Sequence, residues 1–500
     1  MLQPPAAMAA AELQVRRLGV RWVRPPPGAA AADTAVPLGP LDHLVLPTIP
    51  AAAIYVYAGG VDVALDRLER ALRRLLATYP HLAGRLAVDA ATGRRCVRAL
   101  DAGAALWEAS CGAPLPVHTV AGRRTVRLGD LPAGDDGGGG GAGAALLAPF
   151  EPVLDAVCAG PVLSVQHTRF ACGAVALGVR LLHTVADAAS LAQLMNDLAA
   201  VYRDDERAAT TTLPPAPIAP ADQLTALGGP PPPGFHPAHY APAPEFEVPS
   251  PLPPPAAPAV LGRVLRFTAA DVAELKARAT PPAGGPAGGR WVSSFEALAA
   301  HLHQRLYQAR AAHARATEGE AAVALLSTDF LTPLNCRDPS RLDLPPRYFG
   351  NALLCTYCTV PPAVLAAGTL AEVAAYIHDA IRLYTRRTTE LTARWIAAQP
   401  DPSRVQHGFQ GANGGFMLSQ WTKLDLYRSA HLGDGDAARP TLVTTPFTAS
   451  SLLDGLGYVL PAGDHPEPDE HGGAGPVDVY LALSAPLWSQ LADDLLVRLR

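Results

Sequence analysis

The segment "LLHTVADAASLAQLMNDL" (181–198) sets a histidine between an apolar, β-prone run and a helically spaced one, with an acid four residues on. Imidazole has an unperturbed pKa near 6.5, so at neutral pH the ring of His183 is mostly uncharged and able to take a proton from a hydroxyl or amine. The run "GAVALGVRLLH" (173–183) suits a buried strand, and Leu191, Leu194, Met195 and Leu198 recur at helical spacing. "HTVAD" (183–187) is then the connecting turn. His183 stands at the C-terminal end of a strand, a place where α/β sheets carry chemistry. Asp187 at the helix start is placed either to cap backbone N–H groups, helped by the helix dipole, or to anchor the turn through an arginine elsewhere. Alone, the pair is equally a polar residue beside a core and a cap.

The surrounding chain must position that turn. Five hundred residues exceed what one core usually serves, which points to two or three domains. Hydrophobic residues at 49% and charged residues at 17% describe a globular chain. A net charge of −5 and a pI near 6.3 give no pull toward nucleic acid or anionic membrane. Seven scattered cysteines form no disulfide framework and fit a reducing compartment. Cys355 and Cys358 make a lone CxxC inside a strand-like run, without the second ligand pair that structural zinc requires. His301 and His303 lack a carboxylate at a recognised spacing, so no metal is expected.

Three stretches interrupt the pattern: "GDDGGGGGAGAA" (134–145), the proline-rich 214–258, and "TPPAGGPAGG" (280–289). Proline-rich chain is extended and stiff, a natural spacer between packed halves. Helices are expected in 61–80, 188–203, "TAADVAELKARA" and "SSFEALAAHLHQRLYQAR", with Thr268 and Ser293 or Ser294 as N-caps. Strands are expected in 173–183, "AVALLSTDFL", "ALLCTYCTV" and "PVDVYLALS". The expected organisation is an N-terminal α/β domain (1–213), a crossover linker (214–258) and a C-terminal α/β domain (259–500). No 20-residue apolar span or secretory leader is read, so a cytoplasmic chain is expected.

Beyond HTVAD, the chain carries "LGPLDHLVL" (38–46), "ATYPHLAGRLAVD" (77–89), "WVSSFEALAAHLHQRL" (291–306), "LNCRDPSRLDLPPRYFGNALL" (334–354) and "LSQWTKLDLYRSAHLGDGDAARP" (418–440). In order and spacing these resemble the BAHD family of CoA-dependent acyltransferases over nearly the whole chain. Two departures stand out: Ala188 replaces the glycine usual after the HxxxD aspartate, and the DFGWG motif survives only as Gly433 and Gly435. The pattern fits a divergent, fungal-like branch.

The resemblance implies two similar-sized mixed-sheet domains of the chloramphenicol acetyltransferase type, joined by a long crossover loop. It implies acyl transfer from an acyl-CoA co-substrate to a hydroxyl or amine of a small metabolite, without a metal. His183 would act as general base at the domain junction, and Asp187 would pair with Arg337 as structural support. Ser419 or Trp421 would stabilise the oxyanion. Arg290, Ser293 and Ser294 would contact CoA, although a serine-rich helix start is equally a cap. The family also implies a monomer. A non-catalytic regulator on the same fold and a carrier-protein-dependent condensation enzyme are the competing readings; the latter usually shows HHxxxDG, whereas Leu182 precedes His183 here.

Overall fold

The computed structural model describes residues 13–29, 34–58, 60–120, 123–134, 141–204, 229–243, 259–281, 291–345, 347–411, 413–448, 452–463 and 475–491. Residues 135–140 of the glycine-rich stretch, 282–289 of the shorter loop, and all of 214–258 apart from 229–243 lie outside the described residues.

Two six-stranded mixed sheets organise the chain. The first runs in the order Val15–Val23, Ala104–Cys111, Leu163–Phe170, Val175–Leu182, Pro50–Tyr57, Leu442–Thr444. All its neighbours are antiparallel except Ala104–Cys111 and Leu163–Phe170, which run parallel. The second runs Val260–Phe267, Val477–Ser484, Leu456–Pro461, Phe416–Gln420, Asp329–Asn335, Leu353–Thr359, with parallel pairing on both sides of Phe416–Gln420. Each sheet packs helices, so the fold is two mixed-sheet α/β layers.

The strand that leads into His183 is buried at all eight positions, as an apolar run broken only by Arg180 leads one to expect, and Arg180 donates to the Ala148 carbonyl. Gly178 in its middle has a steric reason. A Cβ there would lie 1.9 Å from the carbonyl oxygen of Leu146, so only glycine lets that segment cross the sheet. The helix Ala188–Asp204 buries Leu191, Leu194, Met195, Leu198 and Tyr202, the stripe that its spacing encodes.

Helix starts follow local chemistry. Thr268 caps Ala269–Ala279 and Ser293 caps the 24-residue helix Ser294–Thr317, each in a reciprocal capping box with Asp271 or Glu296.

Three features depart from a simple two-half division. The late strand Leu442–Thr444 pairs with Pro50–Tyr57, so the C-terminal half completes the first sheet. The expected strand over "AVALLSTDFL" (322–331) begins only at Asp329, because its first residues, Ala322 and Val323, end the helical turn Glu320–Val323. The described part of the proline-rich stretch is fastened rather than free. Tyr240–Pro242 pairs with Val405–His407, the Tyr240 hydroxyl accepts from the N–H of Cys355 at 2.6 Å, and Arg394 donates to the carbonyls of Gly229 and Pro230.

Candidate active site

The strand ends at Leu182, His183–Val185 form the turn, and the helix opens at Ala188. His183 is half-buried while Thr184 to Asp187 are buried. The backbone of His183 is held on both sides: its N–H donates to Ile49 O (3.3 Å), and its carbonyl accepts from Asn351 Nδ2 (2.8 Å). Among the described residues its Nδ1 is buried without a hydrogen-bond partner. Nε2 is then the nitrogen open to a substrate, and a neutral ring that accepts there carries its proton on Nδ1.

Asp187 faces inward and away from that ring nitrogen's task. Its carboxylate takes a bidentate pair from Arg337 (2.8 and 2.9 Å), the N–H of Ser190 (2.9 Å) and the N–H of Ala352 (3.0 Å). The Ser190 bond is an N-cap, so both readings of the residue operate together. Arg337 also donates to the carbonyls of Gly350 and Tyr348 and to the Ser190 hydroxyl. Desolvation pushes the Asp187 carboxyl up, but the Arg337 charge and these donors outweigh it and hold the group below its ordinary value. The turn is thus braced by a residue 150 positions away, in the second half of the chain.

A second brace joins Asp42 to Asn351. Asp42, fully buried, accepts from the main-chain N–H of Asn351 (2.7 Å), its Nδ2 (2.8 Å) and the N–H of Gly39 (2.8 Å). The same Nδ2 reaches the His183 carbonyl. Thr184 donates its hydroxyl to Asp42 O (3.0 Å) and accepts from Arg95 (3.2 Å). Burial pushes the Asp42 carboxyl up to about 7 despite its three N–H donors. The available signal was an acid set among leucines in "LGPLDHLVL", which demands a buried partner.

The other expected residues fall into separate groups. Trp421 Nε1 donates to Ser419 Oγ at 3.2 Å, so the two candidate oxyanion donors form one unit, with the serine hydroxyl hydrogen left to point onward. Ser293 spends its hydroxyl on the N–H of Glu296 and Ser294 is the first helical residue; Arg290 lies outside the described residues. Gly433 and Gly435 lie in a turn where Gly435 has φ +80°, a left-handed conformation that suits glycine. That turn is tied to the first half by Arg203, which donates to the His431 carbonyl. His303 is buried against Phe416 and bonds to Thr328 O, and His301 packs on Phe267. Among the described residues no three His, Cys, Asp or Glu side chains gather as a metal site, and no helix is long and apolar enough to cross a membrane.

The sequence profile of the transferase family matches residues 26–436. Hydroxycinnamoyltransferase 2 of Oryza sativa subsp. japonica is 27% identical over 462 residues, covering 88% of this chain and 91% of that protein. A hydroxycinnamoyl-CoA:5-hydroxyanthranilate N-hydroxycinnamoyltransferase of Avena sativa is 27% identical over 440 residues, covering 84% and 88%. Among solved structures, vinorine synthase superposes with a TM-score of 0.61 at 18% identity, over 97% of this chain and 98% of that one. TRI101 of F. sporotrichioides, complexed with coenzyme A and T-2, superposes at 0.66 with 19% identity, over 92% and 97%. The chain belongs to the transferase family, and within it to the BAHD acyl-CoA-dependent O- or N-acyltransferases.

Proposed function

We propose that the protein moves an acyl group from an acyl-CoA thioester to a hydroxyl or amine of a small metabolite, with His183 as general base in a ternary complex. The acceptor's proton passes to Nε2 as its oxygen or nitrogen attacks the thioester carbonyl. The tetrahedral oxyanion collapses, the C–S bond breaks, and the imidazolium returns its proton to the departing CoA thiolate. No enzyme nucleophile is needed. General-base action of this kind contributes about 10²–10⁴-fold.

The reading is supported above all by one observation: a half-buried histidine with Nδ1 sealed, on a turn locked by the bidentate Arg337–Asp187 pair. A base held this firmly meets the positional demand of the chemistry. Ser419 supplies the oxyanion donor, with Trp421 orienting it through their hydrogen bond. On the donor side, the Ser293 oxygen accepts the cap bond but keeps its O–H to donate, so Arg290, Ser293 and Ser294 are the residues for pantetheine or phosphate contact. The named relatives make hydroxycinnamoyl-CoA the first donor to try.

The test incubates the protein with acetyl-, malonyl- or hydroxycinnamoyl-CoA and a mixed set of alcohols and amines, following free thiol and acylated product. Acceptor-dependent thiol release with at least one donor is expected. No release with any donor would leave the regulator or scaffold reading in its place.

A further inference from the structure

A cavity of about 530 Å³ lies between the residues around Leu38 and Pro40, the strand Arg95–Arg98 and the end of the helix Arg386–Ala397. It plays no part in the scheme above. Leu38, Pro40 and Ala397 give it apolar walls, and Arg94 and Arg95 are both among its lining residues.

Both arginines are short of negative charge. Arg94 donates only to main-chain carbonyls, those of Gln399 (3.2 Å) and Ala397 (3.5 Å). Arg95 donates through Nη1 to the carbonyls of Val45 (2.9 Å) and His43 (3.4 Å) and to Thr184 Oγ1 (3.2 Å). Among the described residues neither guanidinium has a carboxylate within ion-pair distance. Asp89, which shares the lining, is occupied by Arg98 at 2.8 Å and by the N–H groups of Ala91 and Thr92. Burial pushes the Arg95 guanidinium below its ordinary value, and Asp401 offsets only part of that. Partly buried cations are normally paired. Among the described residues neither guanidinium has a carboxylate in contact, and both residues line an open concavity.

We propose that this cavity binds a small oxyanionic metabolite, a carboxylate or a phosphate, through Arg94 and Arg95. A guanidinium fork matches both oxyanions bidentately. The volume falls within the roughly 300–1,000 Å³ typical of small-molecule sites, so the occupant is a metabolite-sized acid rather than a bare halide. The ligand would rest one guanidinium away from Thr184, the neighbour of His183 in the turn. The site stands on the arginine pair and the cavity, independent of the acyl-transfer reading.

The test is calorimetric titration of the full chain with inorganic phosphate and with citrate, against sodium chloride at matched ionic strength. Phosphate or citrate should bind saturably and chloride should not. Arg94→Gln should weaken binding at least ~10-fold while leaving turnover without added anion unchanged. Ala397→Asp, which sets a fixed carboxylate in the lining without removing either arginine, should weaken it similarly. Circular dichroism checks that both variants fold. Equal affinity in wild type and both variants, or equal heats with chloride, would overturn the proposal. So would binding confined to coenzyme A, which would assign the arginines to the donor site. The deciding readouts are binding, so failure here and failure of acyl transfer are told apart.

Discussion

Asp187→Asn swaps a carboxylate for its isostere and removes the charge that faces Arg337. The carboxylate accepts from Arg337 Nη1 and Nη2, Ser190 N and Ala352 N. An amide has one oxygen, so its own N–H group must then point at a guanidinium or a main-chain N–H. The side chains of Arg337 and Asp187 are 14% and 1% exposed, so water cannot replace the lost partner. Removing one member of a buried pair costs about 3–5 kcal/mol. Arg337 keeps the Gly350 and Tyr348 carbonyls and the Ser190 hydroxyl, which places the loss at the lower end, about 3 kcal/mol or roughly 100-fold in the folding constant. Urea unfolding followed by far-UV circular dichroism measures it. Arg337→Gln alone should cost a similar amount, and the double variant less than the sum, since the members of one pair couple. Because Asp187 is held below its ordinary value, its contribution is present above the unfolded-state pKa and lost as acid protonates the folded carboxylate. Wild type should therefore lose stability more steeply than Asp187→Asn below about pH 4. An unchanged midpoint for Asp187→Asn, or strictly additive losses, would refute the reasoning.

Asn351→Leu deletes the side-chain contact to Asp42 and the hold on the His183 carbonyl, leaving the main-chain N–H to Asp42; a loss of about 1–3 kcal/mol in unfolding experiments and a fall in kcat larger than any change in KM are expected. Asp42, pushed up to about 7, contributes stability that is fully present below its unfolded value near pH 4 and is lost as pH rises through about 7. Asp42→Asn should flatten that slope in a pH series of urea midpoints. Gly178→Ala sets a Cβ 1.9 Å from Leu146 O and should lower the melting temperature through a loss of at least about 1–3 kcal/mol, because backbone rather than a flexible side chain must move.

The elements around the turn were legible because their sequences leave little choice of structure: an eight-residue strand apolar but for Arg180, and a helix with a regular leucine stripe. "AVALLSTDFL" misleads because an alanine-rich apolar run satisfies strand and helix alike, and the structure gives its first part to a helical turn. The Asp42–Asn351 brace joins residues 309 positions apart, and nothing in either local pattern announces the other. Tyr240 escapes notice for a similar reason. Prolines around it predict extended chain, while its hydroxyl contact to Cys355 is a tertiary matter. The pairing of Trp421 with Ser419 is likewise invisible until the chain leaves the strand Phe416–Gln420 and the indole turns back to that hydroxyl.

The most direct test of the account compares thiol release by wild type and His183→Ala at saturating acyl-CoA and acceptor. The side chain of His183 makes no hydrogen bond through Nδ1 among the described residues, so the variant should melt at the wild-type temperature. Its kcat should fall by about 10²–10⁴. A folded His183→Ala protein that turns over at the wild-type rate would contradict the central claim.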